Sequence, residues 1–212
     1  MFNLLYKFIF MLAAVSLSFV SKAQDFSDTR RKTESFAKLQ PKELRADVAT
    51  FALAGISESV NTTPLPKIDY SNYNKDSMVF NGDGIKAIVK IAPFEPAKHK
   101  LSYDDKYLVR IDKRTYYGDY GNMPKTDISD VIVIWGNDTV AIPPAAYNDL
   151  HNLHFTYLNK GVERTTNAIY KSKDGRRFYL YLFSKDNTGS YEVTWIFQDG
   201  RYVRRVLDYG FM

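Results

Sequence analysis

Cysteine is absent from all 212 residues. That excludes disulfides, thiolate nucleophiles, dithiol redox motifs and every zinc site that needs a cysteine. Histidine is scarce: His99, His151 and His154 are the only three. No Gly-x-Ser-x-Gly elbow occurs, and no Ser-x-x-Lys motif stands where it would make a nucleophile. Internal repeats, heptad arrays and low-complexity tracts are missing too. The longest apolar-rich run covers residues 8–20, too short for the roughly 20 residues a membrane helix needs.

That run has a different reading. Lys7 precedes it, and Ser21-Lys22-Ala23 places small residues where a signal peptidase cuts. Residues 1–23 are therefore expected to be a signal peptide, with a mature chain starting at Gln24. No cysteine follows the run to accept a lipid. The expected location is secreted or periplasmic, with no stable membrane insertion after cleavage. Small exported domains often lean on disulfides. The 189 residues that remain are enough to build a core without them.

Lysine and arginine number 29 against 24 acidic side chains. Losing Lys7 and Lys22 with the signal leaves a net charge of +3. The basic residues are scattered rather than striped, so nucleic acid is not an expected partner.

Residues 24–40 read as a flexible N-terminal segment and 41–212 as a single domain. A helix is expected over 41–57, with Pro41 at its first turn and Leu44, Val48, Phe51 and Gly55 recurring at helical spacing. Residues 59–77 are polar, carry Pro64 and Pro66, and read as a connection. Asn81-Gly82-Asp83-Gly84 separates two alternating runs and predicts a hairpin, with Ile85, Ala87, Val89 and Ile91 on one face. Further strands are expected over 106–111, with Tyr107, Val109 and Ile111 inward, and over 131–135. Pro144 would open a short second helix. Four runs at 167–172, 176–183, 191–198 and 201–209 are joined by Lys173-Asp174-Gly175, a loop near Asp186-Asn187-Thr188-Gly189, and Asp199-Gly200. They read as an antiparallel meander. The expected fold is α+β: an N-terminal helix packed on a largely antiparallel sheet of seven to nine strands that ends in this four-stranded meander.

Little chemistry is signalled. His151 and His154 could share a helix face and hold a metal with Asp149 or His99, but no acidic general base lies between them as a zinc-protease helix requires. The glycine-containing turns lack the ligand pattern of a calcium loop. Asn61-Thr62-Thr63 and Asn137-Asp138-Thr139 fit the N-glycosylation triplet.

Aromatic residues are the positive signal: 16 tyrosines, 14 phenylalanines and two tryptophans. In 178–183, Phe178, Leu180 and Leu182 would fill the core, leaving Tyr179 and Tyr181 with Arg177 on the other face. Tyrosine and arginine dominate binding hot spots. Tyr116, Tyr117 and Tyr120 lie in a stretch with Gly118, Gly121 and Asn122, a composition suited to an adaptable recognition loop. The leading expectation is a non-enzymatic secreted or periplasmic binding protein without a cofactor. It would hold a protein or glycan partner in the cell envelope through Tyr116, Tyr117, Tyr120, Arg177, Tyr179 and Tyr181. An inhibitor or immunity-type protein is one version. The alternative is a secreted hydrolase with a dispersed acid or metal site near His151 and His154.

Overall fold

A computed structural model describes residues 35–60, 62–185 and 189–211. The expected signal peptide, most of the flexible segment, the acceptor Asn61 and residues 186–188 lie outside the described residues.

Fourteen strands and one α-helix make up the described chain. Strand content is 48% against 10% helical, which corrects the expected α+β class to a mostly β, antiparallel architecture. The first five-stranded sheet has the order β1-β11-β12-β13-β14. Its strands are β1 (Lys67–Ile68), β11 (Ala168–Lys171), β12 (Arg177–Ser184), β13 (Tyr191–Gln198) and β14 (Arg201–Tyr209). The last four are the meander foreseen from sequence. The second sheet has the order β2-β3-β4-β7-β8. It comprises β2 (Tyr70–Tyr73), β3 (Ser77–Gly82), β4 (Ile85–Pro93), β7 (Thr126–Trp135) and β8 (Asp138–Val140). Residues 59–77 thus hold two short strands, and Asp69 between them carries the chain from one sheet to the other.

Alternation explains how the two sheets meet. Phe178, Leu180 and Leu182 of β12 share one buried cluster with Val193, Trp195 and Phe197 of β13. Met78, Phe80, Ala87, Val89, Val131 and Val133 enter it from the second sheet. The result is a β-sandwich core. Register irregularities change the phase locally. A shift between Lys90 and Ile91 leaves Ile91 only partly buried. Another, between Ile196 and Phe197, pairs Tyr202 with Phe197 and leaves Val203 50% exposed. Leu108, not Val109, is the side chain of β6 (Tyr107–Ile111) that is buried beside Ile111.

The helix α1 runs only over Lys42–Ala49, shorter than expected. Thr50 and Phe51 bond back to Asp47 and Val48 in a tighter turn. Ala52 is then extended, and a 3-10 turn covers Leu53–Gly55. The N–H groups of Leu53 and Ala54 donate to the Glu192 carboxylate at 2.7 Å each. A tertiary acceptor has replaced the continuing helix. A Cβ on Gly55 would sit 2.6 Å from the Ala49 Cα and 2.9 Å from the Phe36 ring, so the glycine permits this return. The expected second helix is a single 3-10 turn, Pro144–Ala146. Its continuation is drawn away by backbone pairing of Leu150 and His151 with Tyr117 and Asp127.

Residues 36–56 form a strap across the meander face that points away from the sandwich core. Phe36, Leu39, Leu44, Val48 and Ala49 share a second cluster with Tyr179, Tyr181, Ile196 and Val206. Two ribbons complete the structure: β5 (Leu101–Asp104) with β6, and β9 (Tyr157–Asn159) with β10 (Val162–Arg164).

Candidate functional site

The expected aromatic-basic surface is not open. Tyr179 is fully buried and Tyr181 nearly so. The Tyr179 hydroxyl donates to Asp47 of α1 at 2.5 Å, and the Arg177 guanidinium reaches the same carboxylate at 3.3 Å. The Tyr181 hydroxyl donates to Glu192 at 2.8 Å. Phe51 stacks on Tyr170 at 4.2 Å, which extends the cover. The ring bodies are apolar enough to drive this burial, and each hydroxyl gains a carboxylate in place of water. Burial pushes the phenols of both tyrosines upward, with the adjacent carboxylates acting in the same direction.

The 116–122 stretch is also tied down. The Tyr116 ring is fully buried, and its oxygen accepts the Gly121 N–H at 2.9 Å. That hydroxyl also lies 3.1 Å from the Leu108 carbonyl and 3.0 Å from that of Asn122. Tyr117 packs on Tyr209 with centroids 5.3 Å apart. Tyr120 is half-buried against Tyr116. Gly118, at φ +94°, is in close approach: a Cβ there would strike the His151 carbonyl. Of the six expected binding residues, the strap covers three, and the other three organise a loop.

Two buried carboxylates, Asp208 and Glu192, and the half-buried Asp47 do the anchoring, a role that the sequence reading assigned to none of them. Asp208 accepts the N–H groups of Ser35 and Phe36 at 3.1 and 3.2 Å. Glu192 binds the 3-10 turn, and Asp47 binds Tyr179. The signal for them was indirect: the apolar positions of 36–51 need a sheet face, and the tyrosines of β12 offer one.

Ile111, Asp112, Arg114, Thr115, Tyr116, Asn148, Asp149 and His151 line a polar cleft of about 170 Å³. Asp149 accepts from Nη1 and Nη2 of Arg205 at 2.5 and 2.6 Å. Asp112 accepts from Lys100 N–H and meets His99 Nδ1, each at 2.8 Å. Its hydrogen bond with His99 holds that carboxyl below the usual range. His151 is 1% exposed, edge-on to Phe94 and Tyr116. Neither ring nitrogen has a hydrogen-bond partner among the described residues, and burial lowers its pKa to about 4. The charge of Asp149 acts in the opposite direction.

His154 is exposed and lines a different cleft, with Tyr73, Leu153 and Glu163. The two histidines therefore do not share a face. Among the described residues no group of three or more acidic or histidine side chains could hold a metal.

The exposed apolar groups lie elsewhere. The β9–β10 ribbon turns at Lys160-Gly161, with φ values of +51° and +76°. It carries Leu158 at 74% and Val162 at 50% exposure. Leu158 stands opposite Glu163 and Val162 opposite Asn159, so the two lie on opposite faces. Glu163 fixes the root, accepting from the Tyr73 and Thr156 hydroxyls at 2.5 and 2.6 Å. Compared with known protein families, curated proteins and solved structures, the chain shows no match.

Proposed function

We propose that the protein is a non-enzymatic binding protein of the cell envelope or extracellular space, and that its recognition element is the β9–β10 ribbon. The observation that carries this reading is the exposure of Leu158 and Val162 on a ribbon that, among the described residues, pairs with no third strand. Such a ribbon has little stability of its own, and its apolar side chains gain by burial against another surface. Aliphatic rather than aromatic exposure suits a protein partner better than a glycan. The extracytoplasmic setting rests on the signal pattern of residues 1–23, and an inhibitor or immunity-type role is one form the binding would take.

The test is affinity capture from native envelope extract with the wild type and a Leu158→Asp/Val162→Asp variant. A single partner held by the wild type and lost by a folded variant supports the reading. A partner held equally by both removes the ribbon from recognition. Absence of any partner removes the binding function.

A further inference from the structure

The outer face of the second sheet points away from the sandwich core. Strand register places Val79, Ile88 and Ile132 side by side on β3, β4 and β7. Ile134 lies one row along, opposite Lys86 and Thr139. All four aliphatic side chains are half-buried, and none belongs to any of the three apolar clusters. Their inward-facing neighbours Ala87, Val89, Val131 and Val133 all do. The patch is contiguous, because directly opposed residues share a face. Lys86 and Lys90 flank Ile88 along β4, both exposed, and Asp130 stands directly opposite Lys90. None of the three charges makes an ion pair among the described residues.

We infer that this face is the contact surface of a homodimer. The charge arrangement selects a second copy as the occupant. A two-fold axis lying between β4 and β7, parallel to the strands, sets Ile88 over Ile132 of the second copy. The same axis sets Lys90 over Asp130 of the second copy, and the reciprocal pair forms by symmetry. An isologous contact needs such self-complementarity, and face-to-face packing of twisted sheets supplies the geometry. Size limits the strength. Four strands about 4.8 Å apart and three rows deep, at about 6.6 Å per row, cover roughly 400 Å². A standard interface covers about 800 Å² per partner. The dimer is therefore weak and concentration-dependent. The contact is independent of the β9–β10 ribbon, and its failure would leave the ribbon reading intact.

Sedimentation equilibrium on the purified protein, from about 5 to 500 μM, tests this. Reversible dimerisation is expected. Lys90→Asp should weaken it by about tenfold or more, since two attractive contacts become repulsive. Lys90→Asp/Asp130→Lys should restore it to within about threefold, because the swapped charges again face each other. Ile88→Asp, folded by near-ultraviolet circular dichroism, should be monomeric throughout. A wild type monomeric across the range overturns the inference. So does a dimer indifferent to Lys90→Asp, or one that the charge swap does not restore.

Discussion

His151 and Glu192 show how one buried polar group can do opposite things to stability. His151 is neutral in the folded chain because burial among Phe94, Tyr116 and backbone disfavours the imidazolium. Its folded pKa of about 4 lies below the ordinary 6.5. The unfolded chain therefore binds the extra proton first as pH falls. The contribution is present in full above pH 6.5 and is lost progressively down to about pH 4. Integrated over that window it is worth about 3 kcal/mol. His151→Phe should leave stability within about 1 kcal/mol at pH 7.5. At pH 4.5 it should make the variant more stable than the wild type by about 2–3 kcal/mol. Urea unfolding at the two pH values checks this, and equal differences at both would refute it.

Glu192 does the reverse. Burial raises its pKa despite three donors that favour the carboxylate. The stability linked to its protonation is present below pH 4.5 and is lost as pH rises through the raised value. Its structural worth lies in the donors it satisfies. Glu192→Leu leaves the N–H groups of Leu53 and Ala54 and the Tyr181 hydroxyl without their acceptor. It should cost about 2–4 kcal/mol, and Glu192→Gln distinctly less. Denaturant midpoints of the two variants give the comparison. At this scale the sequence showed residue type but not environment. Tyr179 and Tyr181 carry apolar rings and polar tips, and composition alone does not say whether carboxylates or water meet those tips.

At the scale of elements, turn chemistry was the most legible signal. Asp83-Gly84 and Asp199-Gly200 each take positive φ at both residues, as two-residue hairpins require. At Gly200, φ is +80° and a Cβ would meet nothing within 4 Å. Gly200→Ala therefore isolates backbone strain from steric conflict. It should cost about 1–2 kcal/mol with the meander register unchanged, read from thermal unfolding and the amide spectrum. The helix was located correctly but drawn too long. Its periodicity continues through Phe51 and Gly55, while the carboxylate that ends it comes from β13, 138 residues away in sequence. The short strands β1 and β2 were hidden by a polar composition around two prolines. Their pairing uses backbone groups, which composition does not record. Alternation along β14 puts Val203 and Arg205 on the apolar side; Arg205 does turn inward against Asp149, whereas the register shift between Ile196 and Phe197 leaves Val203 exposed.

At the largest scale, the described residues form a β-sandwich with a strap on one outer face, an apolar patch on the other, and two further two-stranded ribbons. The β9–β10 ribbon contributes no residue to any of the three clusters. Replacing residues 157–164 by a two-residue Gly-Ser link should shift the thermal midpoint by no more than a few degrees. The same change should abolish capture of the partner. Calorimetry with the capture assay reads both, and a collapse of the midpoint would make the ribbon structural rather than functional. The sequence by itself determined the antiparallel strand pattern, the meander, its turns, and the inward residues of β12 and β13. Those follow from periodicity and from φ preferences, which act within a few residues. Only the tertiary structure decided which faces are covered. The strap reaches Glu192 and Asp208 from more than 130 residues away. Burial of Tyr179 and Tyr181, the exposure of Leu158 and Val162, and the half-burial of the Ile88 patch depend on which distant surface arrives, and local pattern does not encode that.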